Sequence, residues 1–307
     1  MNYGNLINRA FNLAWHHKAF WVLGFLTGAW GYLFSFHDKF PQTSFDNFGH
    51  LDLHVIDHIV DWMIHGPGLA IAIAIIGLVF LLGLVISVLH FICAAGLIEG
   101  VARVERGDNS KLKELFLAGS RYFWRFLALF LLTGLVGGAF AMLLIVPLIL
   151  AIIALKLFGI LLLILIMPIG FAGIFFLSNL YSLTQREIVI YDSPLFDAIR
   201  ESYRLLMKNI GPNIVIFLIT AFLWIIIMIC GFILMAIFAI PTIIIGAWSP
   251  LFMIIALIVI LPVFMAMAII IEGFLGTFFN SFFTYFYFEL RAKMPRQAKT
   301  ATPEAAV

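Results

Sequence analysis

The chain has 307 residues, of which 64% are hydrophobic and 11% charged, with a net charge of +2 and a mean hydropathy of +1.12. Soluble domains run at about 45–50% apolar and about 25% charged residues, so a water-soluble globular protein is excluded. The near-neutral charge and the lack of a basic stripe with interleaved aromatics argue against a nucleic-acid binder. The composition describes an all-α, multi-pass membrane protein.

Stretches free of Asp, Glu, Lys and Arg cover residues 19–36, 69–98, 126–155, 157–185, 209–271 and 273–288. One bilayer crossing takes about 20 apolar residues. The run 209–271 therefore holds two spans, with Pro241 and Trp248-Ser249-Pro250 marking the turn between them. This predicts a bundle of six transmembrane helices near 19–36, 69–93, 127–149, 157–181, 214–239 and 252–275. None of the runs alternates at period two, which excludes a closed barrel.

Lysine and arginine set the expected orientation, because they are retained on the cytoplasmic side close to the span ends. Sixteen of the 18 fall on one side: Arg9 and Lys18, the group from Arg103 to Arg125, the group from Arg186 to Lys208, and Arg291, Lys293, Arg296 and Lys299. Only Lys39 and Lys156 fall on the other. Both termini are thus expected in the cytoplasm of a cell-membrane protein. The polar stretch Asn2 to Lys18 is too long for a signal-peptide n-region, and Cys93 and Cys230 both lie in spans, so neither a cleavable leader nor a disulfide framework is expected.

Each odd-numbered span is preceded by an amphipathic segment: Leu6–Lys18, Ser110–Arg125 and Pro194–Lys208. Each is apolar on one face and basic toward its end, as an interfacial helix requires. The unit of amphipathic helix, span, outer turn and span recurs three times, over 1–105, 106–190 and 191–290. Gly170-Phe171-Ala172-Gly173-Ile174-Phe175-Phe176 and Gly273-Phe274-Leu275-Gly276-Thr277-Phe278-Phe279 agree at five of seven positions, with Asn179 and Asn280 close behind. The first pair of spans lacks this stretch. An internal repeat about an axis along the membrane normal is the expectation, within one membrane domain over 1–290, with an outer loop at 37–68 and a disordered cytoplasmic tail at 291–307.

Arg9-Ala10-Phe11 through Trp15 and Lys18, and Arg186-Glu187-Ile188-Val189 leading into Ser193–Lys208, carry a resemblance. The chain resembles a broad group of prokaryotic six-span membrane proteins akin to the membrane domain that precedes the catalytic domain in some glycerophosphodiester phosphodiesterases. The resemblance covers nearly the whole chain and implies a membrane domain with no phosphodiesterase domain attached. It brings no activity with it.

Candidate sites are few. On a helix over 50–65, His54, Asp57, His58, Asp61 and His65 share one face, and His54, His58, Asp61 and His65 could hold a divalent metal ion. The competing reading is an amphipathic helix on the outer membrane surface with its imidazoles in water. Glu272 is the acid deepest in an apolar stretch, and intramembrane carboxylates commonly relay protons or coordinate cations. With Asn179 and Asn280 it forms the candidate substrate or ion pathway. Pro147, Pro168 and Pro262 can bend or break their helices.

The sequence has no Walker loop, GxGxxG, GxSxG or HExxH, so neither a cofactor nor enzymatic activity is expected. Two readings follow. In one, the protein transports or handles a small or lipidic substrate. In the other, it is a non-catalytic scaffold or partner subunit. In both, the expected partners are the bilayer, with anionic lipids at the cytoplasmic face, and a possible second protein.

Overall fold

The computed structural model describes residues 1–35, 68–108, 111–155, 157–248 and 250–294, and the regular structure among them is helical throughout. In chain order the helices are α1 (Tyr3–His16), α2 (Phe20–Ser35), α3 (Gly68–Glu105), α4 (Leu112–Arg121), α5 (Phe123–Leu155), α6 (Leu157–Tyr191), α7 (Leu195–Lys208), α8 (Ile210–Trp248) and α9 (Pro250–Lys293). Apolar surroundings leave helix as the backbone's way to satisfy every peptide group internally, which explains why the long runs stay continuous.

Five of the helices, α3, α5, α6, α8 and α9, are long and apolar enough to cross a membrane. The described part of the first predicted span, α2, has 16 residues and falls short of that length. The helices outrun the predicted spans: α3 has 38 residues, α8 has 39 and α9 has 44. Pro147, Pro168, Pro241 and Pro262 all sit inside helices. Pro241 therefore marks no turn: α8 runs through it to Trp248, and α9 begins at Pro250. One proline removes one ladder bond, whereas a loop in an apolar medium would strand several peptide groups.

The long helices have two unlike halves. In one, apolar side chains point outward with little to cover them, as with Ile76 at 67% exposure and Leu143 at 70%. In the other, α3, α6 and α9 meet one another and the shorter helices close around them. A core of Leu6, Leu97, Leu115, Leu183, Leu206 and Phe282 fills this second half, referred to below as the head.

Three short amphipathic helices build the head. Each docks through a buried i, i+4, i+7 stripe with a small residue in the middle: Leu6, Ala10 and Leu13 in α1; Leu115, Gly119 and the capping Tyr122 in α4; Ala198, Ser202 and Leu205 in α7. The small central residue lets the helix lie close. A Cβ on Gly119 would strike the Ile92 carbonyl of α3, and one on Gly96 would come within 2.6 Å of the Leu115 carbonyl. Helix α4 packs on α3, α7 on α6 and α1 on α9. The apolar faces expected to meet the membrane are thus taken up by protein in large part.

The head is closed off by tight turns. Gly107, at a φ of 84°, ends α3 in the left-handed region while Gly107 and Asp108 donate back to the carbonyls of Val104 and Arg103. Asp192 does the same after α6 at a φ of 49°, and its carboxylate takes Arg125 at 2.5 Å and Arg121 at 3.5 Å. Helix α9 continues to Lys293, and Arg291, assigned from sequence to a disordered tail, is only 7% exposed. Its partners, described next, explain why.

Candidate functional site

Among the described residues, a cluster of buried polar and charged side chains lies between α6, α7 and α9. Glu187 is fully buried on α6 and receives hydrogen bonds from the Tyr287 hydroxyl and from Arg291 Nη2, the latter at 2.5 Å. Arg291 Nε also donates to the Tyr287 oxygen at 3.2 Å, and its Nη1 reaches Glu201 of α7 at 3.5 Å. Next to Glu187, Arg186 is 2% exposed. Its Nη1 donates to the Ser182 carbonyl and hydroxyl at 2.6 and 2.9 Å, and its Nη2 to the Asn280 carbonyl at 3.3 Å. The ring of Phe283 lies 5.5 Å from the guanidinium.

Two guanidiniums and two carboxylates make this cluster neutral overall. Arg186, Glu187 and Arg291 are shut off from water and Glu201 only partly, so at the first three each hydrogen bond is strong and each unpaired group would be expensive. Such a network fixes the relative placement of three helices. Its acids are occupied by arginine and tyrosine, so it reads as a clasp.

A second, more exposed link joins the chain's beginning to the rest of the head. Arg9 of α1 donates to both Glu105 oxygens at 2.6 and 2.5 Å and lies over the Tyr285 ring of α9 at 4.4 Å. The hydrogen bond with Glu105 holds the Arg9 guanidinium above its ordinary pKa. Where α4 meets α5, burial pushes the Tyr122 phenol upward, helped by the negative charges of Asp192 and Glu99.

The residues singled out from sequence fall in different places. Glu272 is half-buried on α9 and packs against Gly28 of α2, where even a Cβ would overlap its carboxylate. Asn179 and Asn280 spend their amide donors on their own helices, bonding the carbonyls of Phe175 at 2.8 Å and Gly276 at 3.1 Å. Glu272 lies eight residues from Asn280, about 12 Å along the helix axis.

The matched glycine stretches do related but unequal work: Gly173 accommodates the Phe140 ring of α5, while Gly273 and Gly276 bring the backbone of α2 against α9. His54, His58, Asp61 and His65 lie outside the described residues; among the described residues no group of His, Cys, Asp and Glu is placed to hold a metal ion. His90, Cys93 and Glu99 also serve separate ends. His90 meets the backbone of Leu26 and Thr27, Cys93 is in the core, and Glu99 pairs with Arg103 at 2.8 Å.

Arg186, Glu187 and Arg291, expected from sequence in charged cytoplasmic segments, are buried. The signal for burial was their setting. Ile188-Val189-Ile190 follows the first pair and Phe286-Tyr287-Phe288 precedes Arg291, so these charges interrupt apolar runs.

Fold and site together define the class: an all-helical protein with several helices apolar enough for a membrane, consistent with a multi-pass membrane protein. Comparison with protein-family models, curated proteins and solved structures returns no significant match.

Proposed function

We propose that the chain is a six-span protein of the cell membrane, with three successive helical hairpins and cytoplasmic termini, that moves or handles a lipidic substrate without catalysing a reaction. The observation that carries this reading is the contrast within the long helices. Their outward halves expose apolar side chains, while the head is filled by the core and the Glu187–Arg291 clasp. Anything that travels along the open half meets hydrocarbon-like walls. Between α8 and α9 those walls form an apolar recess lined by Met235, Phe238, Ala239, Ile260, Leu261 and Phe264, with Thr242 at its side. An acyl chain suits such a lining better than a hydrated ion.

The contacts also favour three repeated units. Helix α2 packs on α3, α5 on α6 and α8 on α9, while each amphipathic helix docks on the last helix of the unit before it, α1 closing the ring on α9. The fourteen basic residues of the described head, from Arg9 to Lys293, support its placement in the cytoplasm.

The direct test uses proteoliposomes containing fluorescent phosphatidylglycerol, with dithionite to quench the outer leaflet. Translocation predicts quenching well beyond the half seen in protein-free vesicles, and Glu272→Gln is expected to lower the rate while expression holds. Quenching that stays at half in wild type sinks the lipid-handling reading. The scaffold reading then takes its place, favoured by the closed, charge-neutral clasp; it predicts tolerance of Glu272→Gln and sensitivity to charge reversal at Arg200, Arg204 and Lys208.

A further inference from the structure

Helices α3, α6 and α9 all change character at one kind of place. On α9, Ile270 is 54% exposed and Phe278 is 7% exposed. On α3 the change falls between Val85 at 47% and Phe91 at 2%, and on α6 between Ile174 at 68% and Asn179 at 7%. At each transition an aromatic residue of the central helix meets an exposed aromatic of the surrounding layer or its immediate neighbour. Trp15 of α1 packs edge-on to Phe274 at 6.3 Å, and Tyr203 of α7 meets Phe176 at 6.1 Å. Phe91 contacts Phe123 at 6.3 Å, which in turn holds Trp124 at 5.2 Å. Trp15, Trp124 and Tyr203 remain 56%, 74% and 50% exposed.

The spacing from this level outward is telling. Phe91 lies about 35 Å of helix from Gly68, Phe176 about 29 Å from Leu157, and Phe274 about 36 Å from Pro250, at about 1.5 Å per residue. A hydrocarbon core is about 30 Å thick, and tryptophan and tyrosine concentrate at its edges. In the other direction the same helices run on for roughly 20–30 Å as the head.

Basic residues are sorted along the same boundary. Arg9, Arg103, Arg121, Arg125 and Arg291 each pair with a carboxylate. Lys113 and Arg200 are exposed and form no ion pair among the described residues. Both lie on the outward face of their helices, Lys113 of α4 four residues before the exposed Leu117, and Arg200 of α7 between the exposed Phe196 and Tyr203 at i, i+4 and i+7. A cation among exposed apolar side chains is placed to snorkel to a phosphate.

We propose that the ring of Trp15, Trp124 and Tyr203 marks the bilayer surface, and that Lys113 and Arg200 bind the phosphates of anionic phospholipids around it. The inference rests on the membrane-spanning reading alone and holds whether or not a substrate is moved. Glu272, two residues beyond Phe274, then lies at headgroup depth, half-buried against α2.

The test is electron paramagnetic resonance of the full chain in phosphatidylcholine bilayers doped with spin-labelled phosphatidylglycerol or spin-labelled phosphatidylcholine. A surface cation supports a preference of about fivefold for the anionic lipid in the motionally restricted shell. The double substitution Lys113→Gln/Arg200→Gln is expected to bring it close to onefold, and Lys293→Gln, at the far end of the head, to leave it unchanged. No preference in wild type, a preference that survives the double substitution, or an equal loss in Lys293→Gln each overturns the proposal. Loss of lipid translocation with this preference intact would instead remove the transport reading and leave the headgroup site standing.

Discussion

Helix α9 shows both halves of the molecule in one element. Between Ile258 and Ile271 its large apolar side chains are open, several above 50% exposure, while from Phe278 to Leu290 it is almost entirely covered. Both stretches are rich in large apolar side chains, mostly aliphatic in the first and aromatic with interspersed polar groups in the second. The difference lies in what is available to cover them: bilayer in one half, amphipathic helices in the other. The open half gains little from helix–helix contact, because lipid is as apolar as leucine. The head must instead be specified by close packing and by polar groups that find partners.

Breaking the head's polar partnership should have the largest effect. Arg291→Leu leaves the Glu187 carboxylate buried with only the Tyr287 hydroxyl of its two donors on α9. Stripping one partner from a buried ion pair destabilises by about 3–5 kcal/mol. Adding Glu187→Leu and Tyr287→Phe should recover much of that loss, since apolar replacement of a whole buried network is often neutral. Denaturant titrations in mild detergent, read by tryptophan fluorescence, would report both numbers. A triple variant no more stable than Arg291→Leu would show that the clasp is needed for the head to assemble at all.

Glycines sharpen the same contrast at a smaller scale. A Cβ at Gly276 would sit 2.7 Å from the carbonyl carbon of Gly24 on α2, with backbone on both sides and nothing able to give. Overpacking of this kind costs about 1–3 kcal/mol, and Gly276→Val should fall at the top of that range. Gly134 on α5 has no neighbour within 4 Å of the same position. There Gly134→Ala should be neutral or stabilising by up to about 1 kcal/mol, the helix-propensity difference. Midpoint shifts of opposite sign in the same detergent would bear this out; equal losses would mean that the α5 face is covered in the bilayer.

These two cases also show what sequence could and could not reveal. Hydropathy located the membrane helices because each run exceeds any buried soluble helix. Periodicity located α1, α4 and α7 because their apolar positions recur at helical spacing. It could not say whether their faces meet lipid or protein, since both are apolar solvents. Likewise Glu272 stood out because it is alone in a long apolar run, whereas Glu187 was hidden among flanking charges. Its importance comes from Tyr287 and Arg291, a hundred residues away in the chain. Neither composition nor spacing encodes such a pairing. The matched glycines stood out in the sequence, but their partners, a phenylalanine ring for Gly173 and the backbone of α2 for Gly273 and Gly276, did not.

The smallest effect should come from the link that joins the first helix to the last. Arg9 and Glu105 are 46% and 42% exposed at their side chains, so water screens the pair despite its short distance. Half-exposed ion pairs contribute about 0.2–1 kcal/mol, and the Tyr285 ring under Arg9 adds a contact of similar order. Arg9→Gln should therefore lower stability by about 1 kcal/mol or less. Because the pair is open to solvent, raising the salt concentration should shrink the gap between Arg9→Gln and wild type. The Arg291→Leu gap, arising in a buried cluster, should not respond. If salt leaves the Arg9 gap intact, the packing of α1 over Tyr285 outweighs its charge, and closure of the head belongs with the apolar core.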